Sequence, residues 1–148
     1  MQIRRATADD LPAIIAIYRA GDLDSSRESP GELEPYLEAF AAVDADPAHL
    51  LAVADLDGEV VGTFHLTILP GIARRGLTRA LVESVHVRPD HRGRGTGGAM
   101  MRWAIEESRR RGCGLVQLTS NNARADAHRF YGRLGFQPTH VGFKLPLA

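Results

Sequence analysis

Two adjoining stretches of this 148-residue chain carry residue types that could do chemistry. In Leu81-Val82-Glu83-Ser84-Val85-His86-Val87, Glu83 interrupts an otherwise apolar strand centre. A carboxylate there is costly unless it is paired or stays wet. It reads as a salt bridge to an arginine such as Arg79, as a position open to solvent, or as a general base. The chain then runs Arg88-Pro89-Asp90-His91-Arg92-Gly93-Arg94-Gly95-Thr96-Gly97-Gly98. Pro89 has no N–H for a ladder and ends the strand. Glycines 93, 95, 97 and 98 let backbone approach a ligand without a Cβ in the way. A helical pattern opens near Thr96 with Ala99, Met100, Trp103 and Ala104. The free N–H groups and dipole of its first turn favour phosphate, and Arg92 and Arg94 add charge there. The stretch predicts a pyrophosphate cradle.

Two familiar kinds of cradle do not fit. Gly93, Gly95 and Gly98 spell G-x-G-x-x-G, but a dinucleotide fingerprint needs an acid about 20 residues on to hold a ribose. The next strand, Leu115-Val116-Gln117-Leu118-Thr119, runs into Ser120-Asn121-Asn122 instead. A nucleoside-triphosphate loop needs Gly-Lys followed by Ser or Thr, and the chain has no such pair.

Arg92-x-x-Gly95-x-Gly97, preceded by Val85-x-Val87-x-Pro89, resembles the acyl-coenzyme A signature of the GNAT superfamily of N-acetyltransferases. Phe130-Tyr131-Gly132-Arg133-Leu134-Gly135-Phe136 resembles that family's second signature. The resemblance implies acetyl-CoA as co-substrate and direct attack by a primary amine in a ternary complex. It implies that Glu83 removes the amine's proton and that Tyr131 protonates the departing thiolate; some members carry the carboxylate one residue later, where this chain has Ser84. It further implies that Val85, His86 and Val87 pair their backbone with the pantetheine amides as an added strand would. One of those N–H groups would polarise the thioester carbonyl. The Thr96 hydroxyl and the N–H groups from Arg92 to Gly98 would hold pyrophosphate. Seven residues before Tyr131 the family commonly has an asparagine against the pantetheine arm. Here that place is Arg124, with Asn121 and Asn122 nearby to take the job. The run Arg124-Ala125-Asp126-Ala127-His128-Arg129-Phe130-Tyr131 and the closing His140-Val141-Gly142-Phe143-Lys144 resemble the aminoalkylphosphonate N-acetyltransferase branch. Such a substrate joins an amine to an anion, which Arg74, Arg75 or Arg124 could meet. Acetylation of a protein or peptide, and a non-catalytic acyl-CoA sensor, are the competing functions.

The elements that must position these residues follow from periodicity and turn chemistry. Met1–Arg5 predicts a short edge strand, and Thr7 with Asp10 a capping-box start. Leu11, Ile14, Ile15 and Tyr18 mark one helical face that ends at Gly21. Asp22, Asp24 and Glu28 lie in a polar connection able to attract a cationic amine. A second helix is expected over about 32–43 with Leu33, Tyr36, Leu37 and Phe40 inward. Strands 49–54 and 59–69 join at Asp57-Gly58, a hairpin signal. Residues 70–78 read as a loop, 80–87 as a strand, 96–112 as a helix, 115–119 as a strand and 126–134 as a helix stopped at Gly135. Residues 136–147 predict one or two final strands.

Strands strung through short turns argue against a doubly wound parallel sheet. The expected fold is α/β (α+β), a single domain over 1–148 with a mixed, mostly antiparallel sheet flanked by helices. Eighteen basic and 18 acidic residues balance, so no field favours nucleic acid or an anionic membrane. No apolar run is long enough to span a bilayer, and Cys113 is the lone cysteine. A cytoplasmic protein is expected. Six histidines at scattered spacing predict no metal site. Dimers are common in the family resembled, and only that resemblance suggests a homodimer.

Overall fold

The computed structural model describes residues 1–148. The elements are β1 (Gln2–Arg5), α1 (Leu11–Gly21), α2 (Glu34–Ala45), β2 (His49–Leu56) and β3 (Glu59–Leu69). They continue with α3 (Ala73–Gly76), β4 (Arg79–Val87), α4 (Thr96–Arg110), β5 (Leu115–Gln117) and α5 (Ala125–Arg133). The chain divides into two compact units, Met1–Gln117 and Leu118–Ala148.

In the first unit the five strands lie in the order β1-β2-β3-β4-β5. All neighbours are antiparallel except β4 and β5, so the sheet is mixed and mostly antiparallel as expected. Sequence chemistry explains its local joints. Asp57 and Gly58 both take positive φ, 53° and 89°, as a two-residue turn between β2 and β3 requires. Ahead of α1, the Thr7 N–H donates to Asp10 at 2.7 Å, and Pro12 falls in the first turn, where it blocks no helical bond. Arg4 donates from two nitrogens to Asp10 at 2.8 and 3.0 Å and from a third to Asp55 at 3.0 Å. That fork ties the β1 edge to the start of α1 and holds the Asp10 carboxyl below its ordinary range.

Alternation splits the sheet's core into two faces. On one, Ile14 and Ile17 of α1 pack with Ala6, Val53 and Val60, joined by Tyr18, Leu51 and Phe40 of α2. On the other, α4 buries Met100, Met101 and Ala104. There the Trp103 and Phe64 rings lie 6.0 Å apart. Gly62 is required on that face, because a Cβ would come within 2.7 Å of Met100 Sδ.

The structure corrects three element predictions. The second helix starts at Glu34, and it buries none of its residues fully; Leu37, expected inward, is exposed. Strand β5 ends at Gln117, two residues short, because its ladder with β4 ends at the Leu81–Gln117 pair. Residues 137–148 form no strand. Val141, Phe143, Leu145 and Leu147 alternate as a strand would, yet all are exposed. Alternation supplies only side-chain pattern, and a strand also needs a partner for its backbone groups.

Candidate active site

The site in the first unit is built by one irregularity in β4. Register pairs Thr63 with His86 and His65 with Glu83. Between those pairs β3 supplies only Phe64, whereas β4 supplies Ser84 and Val85. This is a β-bulge, and Ser84 takes φ +52° within it. Side chains three apart on a regular strand face opposite ways. The extra residue cancels that flip. Glu83 sits beside His65, itself opposite Leu51, and His86 sits beside Thr63, opposite Val53. Leu51 and Val53 are two apart on β2, so Glu83 and His86 share the face that carries α1 and α2.

On this face the two residues differ in burial. His86 is buried against α1, its ring 5.4 Å from that of Tyr18 and its Nε2 3.9 Å from Asp22 Oδ1. A Cβ on Gly21 would meet the His86 ring at 2.5 Å, which is why α1 ends in glycine there. Burial pushes the Tyr18 phenol up to about 12, with Glu28 and Asp22 adding to the rise and the Thr63 and Ser84 side chains opposing it. Glu83 and Ser84 are exposed. Of the three readings open for Glu83, the salt bridge to Arg79 does not form: Arg79 donates to Gln117 at 3.2 Å. The carboxylate is wet.

Past the bulge at Ser84 and Val85, His86 and Val87 ladder to β3, and none of Val85–Val87 ladders to β5, whose pairing stops at Leu81. The strand leads into the glycine-rich turn. Gly93 and Gly95 adopt φ of 74° and 84°, and a Cβ on either would project into open space. Gly95 caps α4 in the left-handed conformation without any side-chain bond to the helix. The first helical N–H to find a carbonyl is that of Ala99, on Gly95 at 3.0 Å. The Thr96, Gly97 and Gly98 N–H groups precede the helical ladder and have no intrahelical acceptor. Arg94 is exposed, and Arg92 holds the turn with its Nε on the Val87 carbonyl at 3.1 Å. This arrangement fits a pyrophosphate: the first-turn N–H groups lack intrahelical acceptors, a Cβ on Gly93 or Gly95 would meet nothing within 4 Å, and the Arg102 guanidinium lies 3.1 Å from where a Cβ on Gly98 would be. Thr96 is buried.

The acidic connection is partly committed. Asp24 accepts from the Ser26 N–H at 3.0 Å, and Glu28 accepts from the Tyr36 hydroxyl at 2.7 Å. Arg74 and Arg75, in the turn of α3, both have left-handed backbone and exposed side chains.

The remaining predicted residues lie in the second unit. Asn121 is spent on local structure: its Oδ1 accepts from the Ala123 N–H, and its carbonyl accepts from the Arg124 N–H, each at 2.9 Å. Asn122 is exposed and Arg124 caps α5. Tyr131 is half-buried, its ring 5.1 Å from that of Phe130 and 5.9 Å from that of Phe136. Burial raises its phenol above the ordinary value, with the Arg124 charge opposing. Gly135 stops the helix at φ +97°, while the Phe136 N–H returns to the Tyr131 carbonyl at 3.1 Å.

Sequence reasoning missed the histidines beside Glu83. His49 Nδ1 lies 2.9 Å from His65 Nε2 and 3.3 Å from Thr67 Oγ1. Period-two alternation within each strand was legible. Their juxtaposition was not, because a second bulge at Ala54/Asp55 shifts the β2–β3 register by one residue from what the Asp57-Gly58 turn alone would set.

Comparison with known proteins agrees with this geometry. Residues 13–136 match the model of the acetyltransferase (GNAT) family. The chain is 31% identical over 142 residues to the aminoalkylphosphonate N-acetyltransferase of Salmonella typhimurium, covering 96% of this chain and 88% of that one. A crystal structure from Bacillus halodurans C-125, described as a transcriptional regulator, is similar at TM-score 0.93 and 36% identity over 99% of both chains. A putative acetyltransferase from Agrobacterium tumefaciens C58 is similar at TM-score 0.86 and 29% identity, over 99% of this chain and 100% of that one. With the mixed sheet, the amide-lined turn and the half-freed strand that leads to it, these likenesses show that the chain belongs to the GNAT family and is an acetyl-CoA-dependent N-acetyltransferase.

Proposed function

We propose that the protein transfers acetyl from acetyl-CoA to the primary amine of a small molecule that also carries an anionic group, by direct attack in a ternary complex. The observation that carries this reading is the course of β4. Its edge loses the β5 ladder after Leu81, presents Glu83 two residues later on the α1 face, and runs into an amide-lined turn. Acetyl-CoA supplies an acetyl group already activated as a thioester. The N–H groups of residues 93–98 hold its phosphates, with Arg92 and Arg94 adding charge. The freed backbone of Val85–Val87 pairs with the pantetheine arm, and one N–H polarises the thioester carbonyl. Glu83 takes the proton from the ammonium, which frees the nitrogen lone pair. Such a base supplies roughly 10²–10⁴-fold in rate. From the Phe130–Phe136 motif, Tyr131 gives its proton to the leaving thiolate; a phenol held neutral by burial suits that role.

The acceptor class rests on the relative that acts on aminoalkylphosphonates. Arg74, Arg75 and Arg124 are the residues proposed to meet the anionic group. A panel of amines that includes aminoalkylphosphonates, mixed with protein and acetyl-CoA and followed by free thiol, tests the proposal. Faster thiol release with amine-plus-anion acceptors than with the matching plain amines supports it. Acetyl-CoA binding without thiol release from any amine replaces the enzyme by a sensor. Tyr131→Phe is expected to slow turnover about tenfold or more while leaving the calorimetric affinity for acetyl-CoA intact; an unchanged rate removes the role assigned to the phenol.

A further inference from the structure

The chemistry above leaves two histidines without a task, although they lie next to its base. His65 is directly opposite Glu83 across the β3–β4 ladder. Residues so paired hold their Cβ atoms about 4.5–5.5 Å apart. His65 Nε2 is 2.9 Å from His49 Nδ1, and His49 Nε2 is 3.8 Å from Asp46 Oδ2. The Asp46 side chain is 53% exposed. Glu83, His65, His49 and Asp46 are thus successive neighbours, the first pair by strand register and the others by ring-nitrogen distances, from the base to an exposed carboxylate. We propose that His65 and His49 are a proton exit route that carries the amine's proton from Glu83 to solvent beside Asp46. The proposal rests on Glu83 as the base.

The need for a route follows from the site's shape. Glu83 is exposed in the free protein. A pantetheine arm along Val85–Val87 and an acceptor over Glu83 would cover it during the reaction, whereas Asp46 lies beyond β2. Proton bookkeeping closes through the ring nitrogens. Glu83 takes one proton from the ammonium and passes it to His65 Nδ1. His65 Nε2–H gives its proton to His49 Nδ1, and His49 Nε2–H releases one toward Asp46 and water. One proton leaves, both rings end neutral, and proton exchange with water resets their tautomers.

The surroundings suit this role. Burial, helped by the neighbouring His49, holds His65 below the ordinary histidine value, with Glu83 pulling the other way. The ring is neutral and can accept at neutral pH. Thr67 Oγ1, 3.3 Å from His49 Nδ1, steadies the second ring. Other titratable groups on this face are Tyr18, its phenol pushed up to about 12 with Glu28 and Asp22 acting on it, His86 beside Asp22, and Arg4, which is held by Asp10 and Asp55.

The test compares H65Q, H49Q, H65A and E83Q with wild type, using 2-aminoethylphosphonate and then the fastest acceptor of the amine panel. For either glutamine variant, kcat should fall about tenfold, below the span of a positioned base, with the KM for acetyl-CoA unchanged. Added imidazole should restore H65A saturably and leave E83Q slow. By NMR, His65 should titrate below an ordinary histidine and move upward in H49Q. Glutamine variants within about twofold of wild type at every pH, beside a slow E83Q, would mean that Glu83 hands its proton directly to water. That result overturns the route and leaves the base standing. An H65A defect that imidazole does not touch makes the ring structural, and it too overturns the route. An E83Q as fast as wild type removes the base assignment and the route together. Should H65A lose its fold, H49Q with its pH profile decides alone, because the His49 side chain is 31% exposed and lies at the start of β2.

Discussion

Strand β4 is two half-strands with different work. Arg79–Val82 ladders to β3 on one side, and its first three residues ladder to β5 on the other; Ala80 and Val82 are fully buried. Glu83–Val87 ladders to β3 alone, exposes Glu83 and Ser84, and contains the only non-glycine residue of any strand with positive φ. The first half stabilises the sheet through burial; a buried valine is worth about 1.5–3 kcal/mol. The second half leaves backbone edge and carboxylate accessible, and accepts local strain at Ser84 to do so. The proposed chemistry falls where the strand stops being a good strand.

Four substitutions break or sharpen that contrast. The largest effect belongs to Gly95→Val, beyond the accessible half. A β-branched residue at φ +84° is strained, and its side chain enters the open space that phosphate needs. Acetyl-CoA binding should vanish from calorimetry; retained affinity would move the cradle elsewhere. Next is Glu83→Gln, expected to lower kcat about 10²-fold, most at acidic to neutral pH where the amine needs deprotonating. Its unfolding midpoint should match wild type, since an unpaired exposed carboxylate contributes little to stability. A flat pH response would transfer the role to Ser84 or water.

Val82→Ala reverses the pattern. It should destabilise the protein by about 2 kcal/mol in denaturant unfolding, while acetyl-CoA affinity stays as in wild type. A large loss of affinity with little loss of stability would erase the distinction between the halves. Ser84→Gly is the smallest. Relief of the left-handed conformation should add up to about 1 kcal/mol, and glycine's entropy offsets part of it. A destabilised variant would show that the Ser84 side chain, near Tyr18, outweighs the backbone strain.

The two units also differ in how far sequence predicted them. Around β4 and α4, strand, proline stop, glycine turn and helix start are local chemistry, and each was legible to within a residue or two. In the second unit α5 and its Gly135 stop were equally legible. The alternation of Val141, Phe143, Leu145 and Leu147 was not enough to make a strand, because a ladder depends on a partner that pattern does not name. Arg79 illustrates the same limit within the site: charge and proximity in sequence suggested Glu83, and the side chain instead reaches Gln117, 38 residues away.

What the sequence determined by itself is everything set by interactions within a few residues. Caps at Thr7 and Asp10, the Asp57-Gly58 turn and the glycine-rich amide bed belong here, as does the motif around Tyr131. Tertiary structure alone decided which residues meet across strands. Two one-residue bulges, at Ala54/Asp55 and at Ser84/Val85, set the register. With a side-chain period of two, a single inserted residue moves everything beyond it to the other face. That is why Glu83, His65 and His86 share one face of the sheet, a placement no count along the chain could supply.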